Sequence, residues 1–130
     1  MILDSSAIVA ILRAEPEAAR LAAAIQSADT RRVSAVSYVE AAIVIDSSQD
    51  AVASRRFDEF FRVSLTAVET VTARQAEIAR QAYRDFGKGR HKAGLNFGDC
   101  FAYALAKDVD EPLLFKGDDF RHTDVEVEKF

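Results

Sequence analysis

Asp4, Glu40, Asp99 and the adjacent pair Asp118 and Asp119 each follow an apolar run and open a turn or a helical segment. Carboxylates are hard oxygen ligands and proton acceptors, so acids gathered in one place suit a divalent cation and the hydrolysis of a phosphodiester. These acids lie far apart in the chain, but in a parallel α/β sheet the segments leaving the strands emerge at one carboxyl edge, where they can meet. Two carboxylates about 4 Å apart repel by roughly 4 kcal/mol at an effective dielectric of 20. A cluster of them therefore needs a cation, shared protons or both. With only two histidines and one cysteine in the chain, oxygen ligation points to Mg²⁺ or Mn²⁺ rather than zinc.

Each acid also has a purely structural reading. Ser37-Tyr38-Val39-Glu40 matches a capping box, and Asn96-Phe97-Gly98-Asp99 is a looser form of it. Asp4, just ahead of Ser5-Ser6, suits a helix cap, and Asp118-Asp119 suits a turn after a strand. The two readings are compatible, because free amides at a helix start keep a carboxylate ionised and oriented.

The elements that must carry these residues alternate between strand and helix. Met1 to Asp4 reads as a short buried strand and Ser5 to Arg13 as a small helix; Pro16 suits the first turn of the next helix, with Ala18, Ala19, Leu21, Ala22 and Ile25 as its packing face. Arg32 to Ala35 is a second strand. Ser37 starts a third helix carrying Val39, Ala42, Ile43 and Ile45, and Phe57, Phe60 and Phe61 mark a fourth. Val63 to Glu69 reads as a third strand. Thr72 caps a long helix with Ala76, Ala79, Ala82, Tyr83 and Phe86 on one face and Gly87 at its end. Asn96 opens a helix with Phe97, Phe101, Ala104 and Leu105 on one side; Pro112 to Phe115 is a buried strand, Lys116 to Asp124 a turn region, and Val125 to Val127 an edge strand. The expected fold is one domain over residues 1–130: a three-layer α/β structure with a central, mainly parallel sheet of four to five strands flanked by helices.

Composition narrows the function classes. A chain of 130 residues, 49% hydrophobic and 29% charged, is long enough for one core and is not disordered. A net charge of −4 argues against bulk electrostatic coating of nucleic acid, but not against a nuclease whose acids are offset by metal. No apolar run approaches the ~20 residues of a membrane span, and the opening has no leader pattern, so the expectation is a cytoplasmic protein without membrane association. Cys100, the lone cysteine, reads as a small buried hydrophobe in a reducing compartment. Lys88-Gly89-Arg90-His91-Lys92 is a basic loop, ordinarily just solvated, whose Lys88, Arg90, His91 and Lys92 are candidates for holding phosphates.

The blocks Ile2-Leu3-Asp4-Ser5-Ser6-Ala7-Ile8, Ser34-Ala35-Val36-Ser37-Tyr38-Val39-Glu40, Gly94-Leu95-Asn96-Phe97-Gly98-Asp99-Cys100 and Pro112-Leu113-Leu114-Phe115-Lys116-Gly117-Asp118-Asp119-Phe120 together resemble the PIN-domain ribonucleases of the VapC toxin type. The resemblance covers essentially the whole chain in order and spacing. It implies a PIN fold, Mg²⁺- or Mn²⁺-dependent endoribonuclease activity, a homodimer, and inhibition by a cognate VapB antitoxin in a hetero-oligomer. It matches Asp4 and Asp99 to the principal metal ligands, Glu40 to the catalytic acid, and Ser6 to a hydroxyl residue supporting the first aspartate. For the fourth acid, Asp118 and Asp119 compete; Asp118, directly after Gly117, is favoured, with Asp119 fixing the turn. Competing readings are a non-catalytic PIN-like module that binds RNA or protein, and a receiver- or phosphatase-type phosphoryl-transfer domain. Lys116 suits a receiver, but Asp4-Ser5-Ser6 lacks the paired acids of one and the Asp-x-Asp of the other.

Overall fold

The strands of this protein are only two or three residues long, so the helices and the turns between them carry most of the architecture. A computed structural model describes residues 1–130. In chain order the elements are β1 (Ile2–Leu3), α1 (Ser5–Leu12), α2 (Ala18–Ser27), β2 (Arg32–Ser34), α3 (Ala35–Asp46), α4 (Ala51–Ser64), β3 (Ala67–Glu69), α5 (Ala73–Phe86), α6 (Phe97–Val109) and β4 (Leu113–Leu114), followed by a 3₁₀ turn at Asp119–His122. The sheet order is β3-β2-β1-β4, and every pairing is parallel, with Ile2 opposite both Arg32 and Leu113 and Ser34 opposite Glu69.

Side chains alternate across a strand, and this splits the core in two. Ile2 and Leu113 enter a cluster with Leu95, Tyr103, Leu105, Phe115 and Phe120, under α5 and α6. Leu3 and Leu114 enter the other, with Ile8, Leu21, Ile25, Val33, Ile45 and Phe57 from the first four helices and β2. All four strand side chains are completely buried, each contributing about 1.5–3 kcal/mol. This is the three-layer fold expected from the sequence, with four parallel strands.

Several boundaries differ from expectation. Pro16 lies in the turn before α2 rather than in its first turn, and of that helix's expected face Leu21 and Ile25 are buried while Ala19 and Ala22 are exposed. α3 starts directly on β2: the Ser34 side chain caps it by accepting from Val36 N at 3.3 Å. Ser37 is therefore inside the helix, and no capping box with Glu40 forms. Val63 and Ser64 belong to α4, which ends at Leu65 in the left-handed region (φ 54°), so β3 begins only at Ala67. Val125 to Val127 is not a strand; Val127 makes one isolated parallel bridge to Leu113. Val39, Ile43, Ala76, Tyr83 and Phe97 face outward, Phe97 with 74% of its surface exposed. No helix is long and apolar enough to cross a membrane.

Candidate active site

Asp4 ends β1 and caps α1. Its extended backbone (φ −80°, ψ 155°) turns the chain from strand to helix, its amide donates to Leu114 O at 2.9 Å, and its Oδ2 accepts from Ser6 N at 3.0 Å. The Ser6 hydroxyl donates to the same oxygen at 2.6 Å and accepts from Lys116 N at 3.0 Å. One serine thereby ties the exit of β1 to the exit of β4.

Asp99 sits three residues into the Asn96-capped α6. The capping box there is complete: Asp99 N donates to Asn96 Oδ1 at 2.9 Å and Asn96 N to Asp99 Oδ2 at 3.0 Å. Glu40 reaches the same edge from α3. Between the two adjacent aspartates, it is Asp119 whose charge acts on Asp4 and Asp99. Asp118 is 85% exposed, 3.6 Å from Arg121. Asp119 is exposed as well, and it differs from Asp118 in that its charge reaches the buried acids.

The electrostatics describe one coupled group. Burial pushes the Asp4 carboxyl above its ordinary value, hydrogen bonds from Ser6 and Ser5 oppose this, and Asp119 adds to it. Glu40 is pushed from 4.5 up to about 7, first by burial and then by the charges of Asp4 and Asp99, with the Ser5 hydroxyl opposing. Asp99 is pushed from 3.8 to about 6, first by burial; the Asn96 amide opposes, and Asp4 and Asp119 add repulsion. None of these acids has a lysine or arginine ion-pair partner. Lys116 pairs instead with Glu15 at 2.6 Å and Glu17 at 3.3 Å, which removes it from the role a receiver would require.

Of four buried side-chain oxygens without a hydrogen-bond partner, two, Asp4 Oδ1 and Glu40 Oε1, belong to this group. A buried polar atom without a partner is costly, and carboxylate oxygens pointing at one another's charge are suited to a cation. The donor set is all oxygen. No three such side chains stand at direct-ligand spacing, which allows a hydrated Mg²⁺-like ion that takes one or two carboxylates directly and keeps its waters.

The basic segment lies apart from this group in its hydrogen bonding. Lys88, Arg90 and Lys92 are exposed on the connection from α5 to α6, Arg90 stacks over Tyr83 at 5.4 Å, and His91 Nδ1 accepts from Ala93 N at 3.0 Å. None of the three cations is among the charges acting on Glu40 or Asp99. Two residues of the site carry no assignment from the sequence. Ser5 contacts Glu40, which no spacing rule announces. Gly98 lies against the Glu40 carboxylate, and its signal was a glycine inside a helix directly before an acid.

A family model described as "PIN domain" matches residues 1–126. The chain is 58% identical to ribonuclease VapC28 of Mycobacterium tuberculosis over 97% of its own length and 96% of that protein's. Among solved structures it superposes on a toxin-antitoxin complex from Klebsiella pneumoniae with a TM-score of 0.74, at 14% identity, over 99% of this chain and 97% of that one. It also superposes on the sarcin-ricin loop cleaving toxin VapC20 of Mycobacterium tuberculosis with a TM-score of 0.71, at 19% identity, over 98% of each chain. With strand order, acid placement and full-length similarity in agreement, the chain belongs to the PIN-domain family, among its VapC ribonucleases.

Proposed function

We propose that this VapC-type endoribonuclease toxin cuts RNA at the Asp4, Glu40, Asp99 and Asp119 cluster, with Mg²⁺ or Mn²⁺ as its cofactor. The observation that carries this is the pair of buried, partnerless oxygens, Asp4 Oδ1 and Glu40 Oε1, in a group of acids with no basic partner. Asp4 and Asp99 would hold the cation, and Asp119 would complete the ring. A divalent cation there supplies charge neutralisation at the scissile phosphate and makes a bound water more acidic.

The chain's own residues do the rest. Ser6 holds Asp4 by two hydrogen bonds, and the Asn96 amide holds Asp99, so both carboxylates are oriented before anything binds. Glu40, brought beside Asp4 and Asp99, accepts the proton of the attacking water as the water oxygen bonds to phosphorus and the phosphorus–oxygen bond to the leaving group breaks.

Two apolar grooves support the proposed partners. One, of about 390 Å³, runs between α5 and α6 and is lined by Ala76, Ala79, Tyr83, Phe97 and Phe101. Phe97 stands beside it as a projecting ring, and a knob next to a groove is self-complementary about a two-fold axis, which supports a homodimer. The other, of about 420 Å³, lies on the opposite layer between α1, α2 and α4, lined by Ile11, Ala22, Ile25, Phe60 and Val63. That face remains free in such a dimer and suits an antitoxin of the VapB type. The proposed setting is the cytoplasm, where RNA is the substrate.

The test is cleavage of total RNA by antitoxin-free protein with Mg²⁺ or Mn²⁺, with EDTA, and with Asp4→Asn. Discrete fragments that require metal and disappear in the mutant are expected. Fragments that persist in either control would remove the acid cluster from the mechanism.

A further inference from the structure

Gly98 occupies the first turn of α6 with a helical backbone, where alanine would be the better helix former. Its backbone therefore does not ask for glycine. Space does: a Cβ built at this position would lie 1.9 Å from Glu40 Oε2, 2.1 Å from its Cδ and 2.2 Å from its Oε1. All three nearest atoms belong to one carboxyl group at the end of a flexible side chain. A methyl group at residue 98 would meet that carboxyl group first, and the carboxylate could not stay where it is.

We propose that Gly98 is a positioning residue: the missing side chain is the slot through which α6 admits the Glu40 carboxylate to the acid group beside Asp99. A glycine chosen for close helix packing would find backbone or apolar atoms nearest to it, and here the three nearest atoms all belong to the acid. The inference rests on the reading of Glu40 as proton acceptor. It adds that the acceptor's place is set by a residue on another helix, which touches neither RNA nor cation.

The experiment compares Gly98→Ala, Glu40→Asp and their combination. Gly98→Ala should keep the wild-type far-UV spectrum, and its crystal structure should show the Glu40 carboxylate turned out of the slot. Its kcat should fall about 100-fold, the cost of a displaced catalytic group. Aspartate is shorter by one methylene, so Glu40→Asp should lower kcat in the wild-type background and raise it about tenfold in the Gly98→Ala background. That reversal of sign is something a loss of stability alone would not produce.

Wild-type kcat in Gly98→Ala, an unmoved Glu40 carboxylate, or a combination no better than Gly98→Ala would each overturn the proposal. If Gly98→Ala does not fold, Glu40→Ala added to it should restore folding by emptying the slot; a double variant that is still unfolded would refute the idea equally. If Glu40→Gln itself cleaves RNA normally, the assignment of Glu40 fails, while the crystallographic displacement still decides the slot.

Discussion

Replacing Glu40 with glutamine should remove the largest part of a pH-dependent loss of stability that the wild-type chain shows without metal. In the unfolded chain this carboxyl loses its proton near 4.5, and in the folded chain it holds it until about 7. Between those values the folded state binds more protons than the unfolded one, so stability is fully present below pH 4.5 and declines as pH rises through 7. At 1.36 kcal/mol per pH unit the shift corresponds to roughly 3 kcal/mol. Glu40 is only partly buried, and solvent screening reduces this to about 2 kcal/mol. For a chain of this length that is a fall of about 7 °C in Tm. Asp99, raised to about 6, and Asp4 act in the same direction, so the mutant should keep their part of the decline and lose about 2 kcal/mol of it. The assay is urea unfolding in EDTA at half-unit steps from pH 4.5 to 8, for both proteins. Saturating Mn²⁺ should lift the wild type at pH 8, by about 2.7 kcal/mol at a hundredfold excess over Kd. Wild-type stability that is flat or rising with pH, or a mutant that declines just as steeply, would refute the account of the cluster.

Four further outcomes are expected. Asp4→Asn keeps the α1 cap, since asparagine caps as well as aspartate, removes a repelled buried charge, and should raise the urea midpoint in EDTA while eliminating RNA cleavage. Asp119→Asn should reduce cleavage by at least about tenfold, the order expected when a group acting on transition-state charge is removed, whereas Asp118→Asn should stay near wild type in the same gel assay. Ser6→Ala breaks the hydrogen bonds to Asp4 Oδ2 and Lys116 N; a loss of about 1–2 kcal/mol in urea unfolding is expected, together with weaker cleavage. Phe97→Ser removes an exposed ring from each side of the proposed two-fold contact, and two rings at about 1.5–3 kcal/mol each should weaken dimerisation at least about 100-fold by sedimentation.

What the sequence disclosed was mostly local chemistry. Asn96 and Asp99 form the capping box their spacing announces, and Thr72 caps α5 through Gln75 N at 3.1 Å as expected. The apolar pairs Ile2-Leu3 and Leu113-Leu114 marked two buried strands, because residues buried on both faces of a sheet have no polar side to show. Spacing failed where tertiary context overrode it. The Ser37 to Glu40 pattern looks like a cap, yet α3 begins at the end of β2 and Ser34 takes that role. Tyr83 falls on one face of its helix at the spacing of core residues, while here it lines a surface groove with Phe97. Between Asp118 and Asp119, residue type carries no information at all; only the folded chain shows that the charge of Asp119 reaches the buried acids. Gly98 could be seen as a glycine in a helix, but its neighbour Glu40 lies on another helix and only the fold brings them together.

Asp4 is at once the residue that starts the first helix and one of the acids of the cluster. Aspartate and asparagine codons differ by one base, and asparagine satisfies the helix start equally well. With Asp4 in its proposed role, a single transition in the gene would separate a cleaving chain from a non-cleaving one whose first helix still starts in the same place.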